Sequence, residues 1–293
     1  MATKAPESAI GKQRSPLYFT WQRLKKNRGA VLGLCFLCFL AVLLIFADFL
    51  FDYNDVVIKM NTPERLQWPS AAHWFGTDES GRDVLARVIH GGRRSVLIAA
   101  AAVTIGTVIG GTCGAISGFY KSKFSELLMR LMDILLAIPA TLFALVIVAV
   151  LGSTTINLVI ACAVPVIPKM ARILRSSVIT CGSADYVEAA RARGAKESFI
   201  LIKHILPNSI APLFVQYTIN IGTTIILLSG MSFLGLGIQA PTPEWGSMLS
   251  SARTYIRDYS YLCMFPGLAI MLTILSLNLL GDGLRDALDP RLK

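Results

Sequence analysis

The side chains able to do chemistry fall in three places along the 293 residues. The first carries His73, Asp78, Glu79, Asp83 and His90, types that can hold a divalent cation. No tight ligand spacing is present, and Gly76, Thr77, Asp78 and Gly81 are turn formers, so a folded loop is favoured over a metal site. The second is Glu188, Ala189 and Ala190, followed by Gly194, with Tyr186 and Arg193 close by. On a helix, Tyr186, Ala189, Ala190 and Arg193 share one side, where small residues beside an aromatic and a cation suit docking better than catalysis. An amphipathic loop lying on lipid headgroups is the alternative. The third is Gln216, Asn220, Thr223 and Thr224, spaced i, i+4, i+7 and i+8 in an apolar stretch. Such a stripe faces either a pathway or another helix.

Those residues sit in a chain with 54% hydrophobic and 16% charged residues and a mean hydropathy of +0.59. Soluble domains carry about 25% charged residues, so an ordinary soluble enzyme is disfavoured. Six stretches read as membrane crossings, since about 20 apolar residues are needed for about 30 Å of hydrocarbon. They are residues 30–51, 96–118, 134–151 (with an amphipathic lead-in at 124–133), 155–173, 212–238 and 259–281. The fourth is the weakest: Lys169 and Arg172 lie inside it, and Pro165 and Pro168 can kink it. In the second, Gly106, Gly110, Gly114 and Gly118 form a small-residue face for close helix contact, with a partner in this chain or another.

This divides the chain into an amphipathic segment at 1–29, a first crossing at 30–51 and an external loop at 52–94. A core at 95–281 contains a loop at 176–210, and a tail follows at 282–293. Leu17, Phe19, Trp21 and Leu24 among cations suggest a helix on the headgroups of 1–29. Cys35 and Cys38 form a C-x-x-C, but their apolar surroundings offer no charge to activate a thiol. With six crossings and a cytoplasmic amino terminus, 20 Lys and Arg fall inside and 8 outside. The positive-inside rule thus places both termini in the cytoplasm. Acids divide nine and nine, leaving the inside at +11 and the outside at −1, so topology accounts for the net charge of +10. No nucleic-acid partner is required.

The loop between the fourth and fifth crossings is patterned as helix, corner, helix. Ser183 is placed to cap the first, Arg191 and Arg193 lie in its last turn, Gly194 stops it, and Pro207 ends the second. Glu188-Ala189-Ala190, three residues, Gly194, nine residues, then His204-Ile205-Leu206-Pro207 resembles the EAA loop of ABC importer permeases. His204 stands where the general pattern has Ile, as it often does in the peptide branch. The stretches HWFGTDESGRDVLARVIHGGRRS from His73, PTPEWGSML from Pro241 and NLLGDGLRDALDPRLK from Asn278 are similar to the same branch. Together they resemble the C-type permease subunit of dipeptide, oligopeptide and nickel importers, over nearly the whole chain.

That resemblance implies an all-α, six-span, type I ABC importer permease in a bacterial inner membrane, with a cytoplasmic coupling helix. It implies a homologous permease as heterodimer partner, two cytoplasmic ATPases and an extracytoplasmic substrate-binding protein, all acting across the lipid bilayer. Tyr186, Glu188, Ala189, Ala190, Arg193 and Gly194 would couple to an ATPase. Gln216, Asn220, Thr223 and Thr224 would line the path, while Asp78, Arg82, Asp83 and Trp245 would meet the binding protein or form a gate. No cofactor is expected in this chain, which lacks a G-x-x-x-x-G-K-[ST] phosphate loop, so ATP and Mg belong to the partner subunits. The substrate is expected to be a peptide, with nickel or glutathione as alternatives. A stand-alone transporter or channel would need ionisable residues inside the spans, and an intramembrane enzyme would need a catalytic cluster there. Apart from Lys169 and Arg172 of the fourth span, the spans hold almost no ionisable groups beyond Asp48 and Asp133 at the edges, and all three histidines lie in loops.

Overall fold

A computed structural model describes residues 16–120 and 122–288. The resemblance-bearing residues 289–293 and the basic residues Lys4, Lys12, Arg14 and Lys121 lie outside the described residues. The helices are α1 Pro16–Leu24, α2 Arg28–Ile45, α3 Ala47–Leu50, α4 Val84–Phe119, α5 Lys123–Ala137, α6 Ala140–Leu151, α7 Thr155–Ala163 and α8 Val166–Gly182. They continue with α9 Asp185–Ala192, α10 Glu197–Phe199, α11 Leu206–Ser209, α12 Ala211–Phe233, α13 Trp245–Ala252 and α14 Tyr261–Leu288. Among the described residues, extended pairing is limited to a single bridge between Thr77 and Asp83.

Among the described residues, five segments are long and apolar enough to cross a membrane: α2, α4, α7 with α8, α12 and α14. A sixth crossing exists if α5 and α6 count as one, although they meet at 89°. The stretch at 134–151 is therefore not one straight helix but breaks at Ile138 and Pro139. Pro139 disfavours helical geometry at the residue before it, and Ile138 is extended with φ −86° and ψ 127°.

The second span is longer than the apolar run suggested. Asp83 accepts a hydrogen bond from the Ala86 amide at 2.9 Å, so α4 begins at Val84 and takes in Arg87, His90, Arg93 and Arg94. At 1.5 Å per residue its 36 residues extend about 54 Å, well past the hydrocarbon. The end of the 52–94 loop is thus the first part of this helix.

The glycine face of α4 finds its partner in this chain. A methyl on Gly110 or Gly114 would overlap the carbonyl oxygens of Ile167 and Ala171 on α8. At Gly106 it would lie 2.7 Å from Val166 Cβ, and at Gly118 2.9 Å from Arg175 O. Backbone therefore meets backbone for most of α8, the close approach that glycine permits between helices in lipid. Val164 and Pro165 both keep right-handed helical geometry, so α7 runs into α8 with only a local break.

Candidate coupling site and pathway

The loop expected to couple is a hairpin seated on the C-terminal ends of α4 and α8. Val187 and Ala190 of α9 pack with Ile200, Leu201 and Ile205 against Ala115, Leu174 and Val178, all of them buried. Helix α9 closes in a Schellman arrangement: Gly194 N–H donates to Arg191 O at 2.9 Å and Ala195 N–H to Ala190 O at 3.2 Å. Gly194 has φ +78°, a conformation costly for any residue with a Cβ. Arg191 is held by Glu197 at 3.2 Å and stacks over the Phe119 ring at 5.9 Å, fastening the hairpin to α4.

Three expectations for this loop need correction. Ser183 ends α8 and donates its hydroxyl to Thr180 O at 3.0 Å; Ala184 occupies the N-cap of α9 and makes no side-chain bond. Pro207 opens α11 instead of ending the second helix. The chain reaches it through a wide π turn at Ile200–Ile205, and the Asn208 side-chain amide takes up His204 O at 2.7 Å. Ala190 is 1% exposed and faces the core, so it does not share the outer surface with Tyr186, Ala189 and Arg193. That surface contains Tyr186, Glu188, Ala189, Arg193 and Gly194, together with Phe199 and Ile202, at 52% and 65% exposure. Phe199 and Ile202 escaped the sequence reading because apolar residues in a presumed amphipathic helix read as its buried side. Partial burial, followed by the nearby Cys181, raises the Tyr186 phenol above its ordinary range while a hydrogen bond to Asn208 opposes the shift, so Tyr186 remains protonated at neutral pH.

Asp78, Arg82, Asp83 and Trp245, expected as outward contacts, are all buried and hold together a cap at the start of α4. Asp78 Oδ2 accepts Arg82 Nε at 2.7 Å and lies 3.2 Å from Arg87 Nε, while its Oδ1 accepts the amides of Ser80 and Arg82. Arg87 then donates to Val57 O at 2.8 Å and Pro241 O at 3.2 Å, tying two other loop segments to α4. Asp83 joins His73 Nδ1 at 2.8 Å, in addition to capping α4. The Trp245 indole donates to Val88 O at 2.8 Å and lies against Gly92, where a side chain would collide with it.

Beside Trp245, Glu244 is 0% exposed. It caps α13 by accepting the amides of Gly246 and Ser247 at 3.0 and 2.9 Å, and it accepts the Ser95 hydroxyl at 2.9 Å. Arg87, Ser95 and Glu244 were missed as cap residues. The carboxylate two and three residues before the two capped amides was the available signal for Glu244.

The polar stripe of α12 is divided by the fold. Asn220 and Thr224 are buried inside the subunit, and Asn220 is reached by Gln216 Nε2 at 3.4 Å and itself approaches Met170 Sδ at 3.9 Å. Thr223 is exposed and returns its hydroxyl to Asn220 O at 3.1 Å. Interhelical bonding therefore accounts for Asn220, and the four residues do not form one open wall. Asp133 pairs with Arg172 of α8 at 2.5 Å.

The family profile described as binding-protein-dependent transport system inner membrane component matches residues 96–293. The chain belongs to this family. A second profile, the N-terminal transmembrane domain of oligopeptide transport permease C, matches residues 15–69. The chain is 44% identical, over 95% of its length and 91% of the relative's, to the dipeptide transport system permease protein DppC of Alkalihalophilus pseudofirmus. It is 44% identical to the di/tripeptide transport system permease protein DppC of Pseudomonas aeruginosa, covering 95% of this chain and 93% of that one. The glutathione transport system permease protein GsiD of Escherichia coli is 42% identical, with 96% and 92% covered. Among solved structures, the inward-facing MetNI methionine ABC transporter superposes with a TM-score of 0.57 at 17% identity, covering 69% of this chain and 96% of that one. The fold is that of an ABC importer permease, and the protein is a multi-pass inner-membrane subunit of a binding-protein-dependent transporter.

Proposed function

We propose that the chain is one half of the translocation unit of an ATP-driven peptide importer, paired with a homologous permease. Both termini and the α9 hairpin face the cytoplasm, as the excess of cations in those segments favours. Two ATPase subunits hold ATP and Mg, and one of them receives the exposed face of α9. Tyr186, Glu188, Ala189 and Arg193 make that contact, joined by Phe199 and Ile202. Ala190 and Gly194 shape the hairpin from behind. With Asp78, Arg82, Asp83 and Trp245 committed to the cap interior, the exposed Trp68 and Trp74 offer the surface for a substrate-binding protein.

The observation that carries this reading is the hairpin itself: a rigid corner fixed to α4 and α8 that leaves aromatic and apolar side chains uncovered outside the spans. Reconstitution of the complete transporter in liposomes tests it. Dipeptide accumulation should require ATP and every partner; accumulation driven by this chain alone refutes the reading. A second substrate, glutathione, is favoured by the GsiD relatives. Competition between glutathione and a dipeptide for the complete transporter separates the two.

A further inference from the structure

Helix α8 carries a polar stripe that the coupling hairpin does not use. Lys169, Arg172, Ser176 and Thr180 are spaced by three, four and four residues, so they share one face, and all four are exposed. The opposite face is buried through Met170, Ala171, Leu174 and Val178. Lys169 lies between Ile167, which meets Gly110, and Ala171, which meets Gly114. That level is about 10 Å inside the Phe119 end of α4, at 1.5 Å per residue. Cations and hydroxyls at such depth face water or protein, because hydrocarbon offers them no partners.

Helix α5 adds to the same surface. Its Arg130 and Asp133 are exposed, and Asp133 meets Arg172. Phe124, Leu127, Leu131 and Ile134 form a separate exposed apolar side of α5. Along the inner end of the stripe runs an open groove of about 440 Å³, lined in part by Arg172, Ser176, Ser177 and Thr180. Its size is that of a small-ligand cleft. Four cations, Lys123, Arg130, Lys169 and Arg172, against two acids, Glu126 and Asp133, give this surface a positive balance.

We propose that this face of α8 is the inner wall of the translocation path and that it holds the carboxylate of a passing peptide before release. The inference rests on the peptide-importer reading. It moves the path wall from α12, whose Asn220 and Thr224 are enclosed within the subunit, to α8. Every linear peptide with a free end presents a carboxylate, so a cationic wall serves peptides of many sequences.

The test uses the complete transporter in liposomes with two dipeptides, one ending in aspartate and one in lysine, at equal occupancy of the binding protein. Lys169→Glu should lower uptake of the acidic peptide relative to the basic one by about five-fold, the scale of a single partly solvated charge contact. Lys169→Gln should shift the ratio less. In a Cys181→Ser background, Ser176→Cys should react with a charged, membrane-impermeant thiol reagent from the ATPase side and be protected by excess dipeptide. An unchanged uptake ratio overturns the assignment. So does a Ser176→Cys that reacts only with lipid-soluble maleimide, which puts the stripe among lipid headgroups. Wild-type transporter that imports neither peptide refutes the peptide reading itself, a result distinct from normal import with an unshifted ratio.

Discussion

Gly114 of α4 lies directly on the carbonyl of Ala171 of α8, with no room for even a methyl group between the two backbones. Since α8 leads through Ser183 into α9, and α4 leads back to the buried Arg87 and Asp78, this contact joins the α9 hairpin to the Asp78 cap. A force applied at α9 therefore meets a pair of helices with little freedom to slide.

Gly114→Leu should separate α4 from α8 and destabilise the protein by about 1–3 kcal/mol, the usual cost of overpacking. Gly230→Ala is the control: nothing lies within 4 Å of its would-be Cβ, and it sits within a helix with ordinary φ. Thermal unfolding in detergent should show a lowered midpoint for the first and an equal or higher one for the second.

At Gly194 the obstacle is backbone conformation, because nothing stands within 4 Å of an added Cβ. Gly194→Ala should cost about 1 kcal/mol locally, and Gly194→Asn less, since Asn tolerates the left-handed region. Hydrogen exchange of the α9 amides should accelerate more in the Ala variant than in the Asn variant. ATP-driven uptake should fall in the same order while insertion into the membrane is unaffected.

Removing Asp78 leaves Arg82 and Arg87 buried without their shared carboxylate. Asp78→Ala should therefore cost about 3–5 kcal/mol, the range for breaking a buried ion pair. Limited proteolysis should then cut within residues 59–83 faster than in the unaltered protein.

Glu244→Ala deprives the Gly246 and Ser247 amides and the Ser95 hydroxyl of their acceptor. A lost cap of this kind costs about 1–2 kcal/mol. Ser95→Ala removes one of the three donors and should cost less, so the two variants measured by chemical denaturation should rank in that order. Equal effects would falsify the cap assignment.

The spans were legible because an uncharged run of membrane length is seldom stable anywhere but in a bilayer. Their ends were not. Arg87, His90, Arg93 and Arg94 interrupt the apolar signal of α4, yet they are satisfied by Val57, Phe51, Asp48 and Tyr53 and remain helical. The break at Ile138 was visible in principle, since Pro139 constrains its predecessor, but the hydropathy average hid it. In the coupling loop Gly194 was readable from its type alone. The inward turn of Ala190 was not, because small residues suit a docking face and a helix core equally well. On α12 the period placed Asn220 correctly on one side of the helix, but only the packing of α8 shows that Met170 covers it.

Photo-cross-linking in the intact transporter tests the route of force most directly. A photoreactive residue at Tyr186 or Phe199 should capture an ATPase subunit, whereas one at buried Val187 should capture only this chain. Adducts from Tyr186 and Phe199 that consist of lipid alone, in a complex that still couples ATP hydrolysis to uptake, would contradict the account.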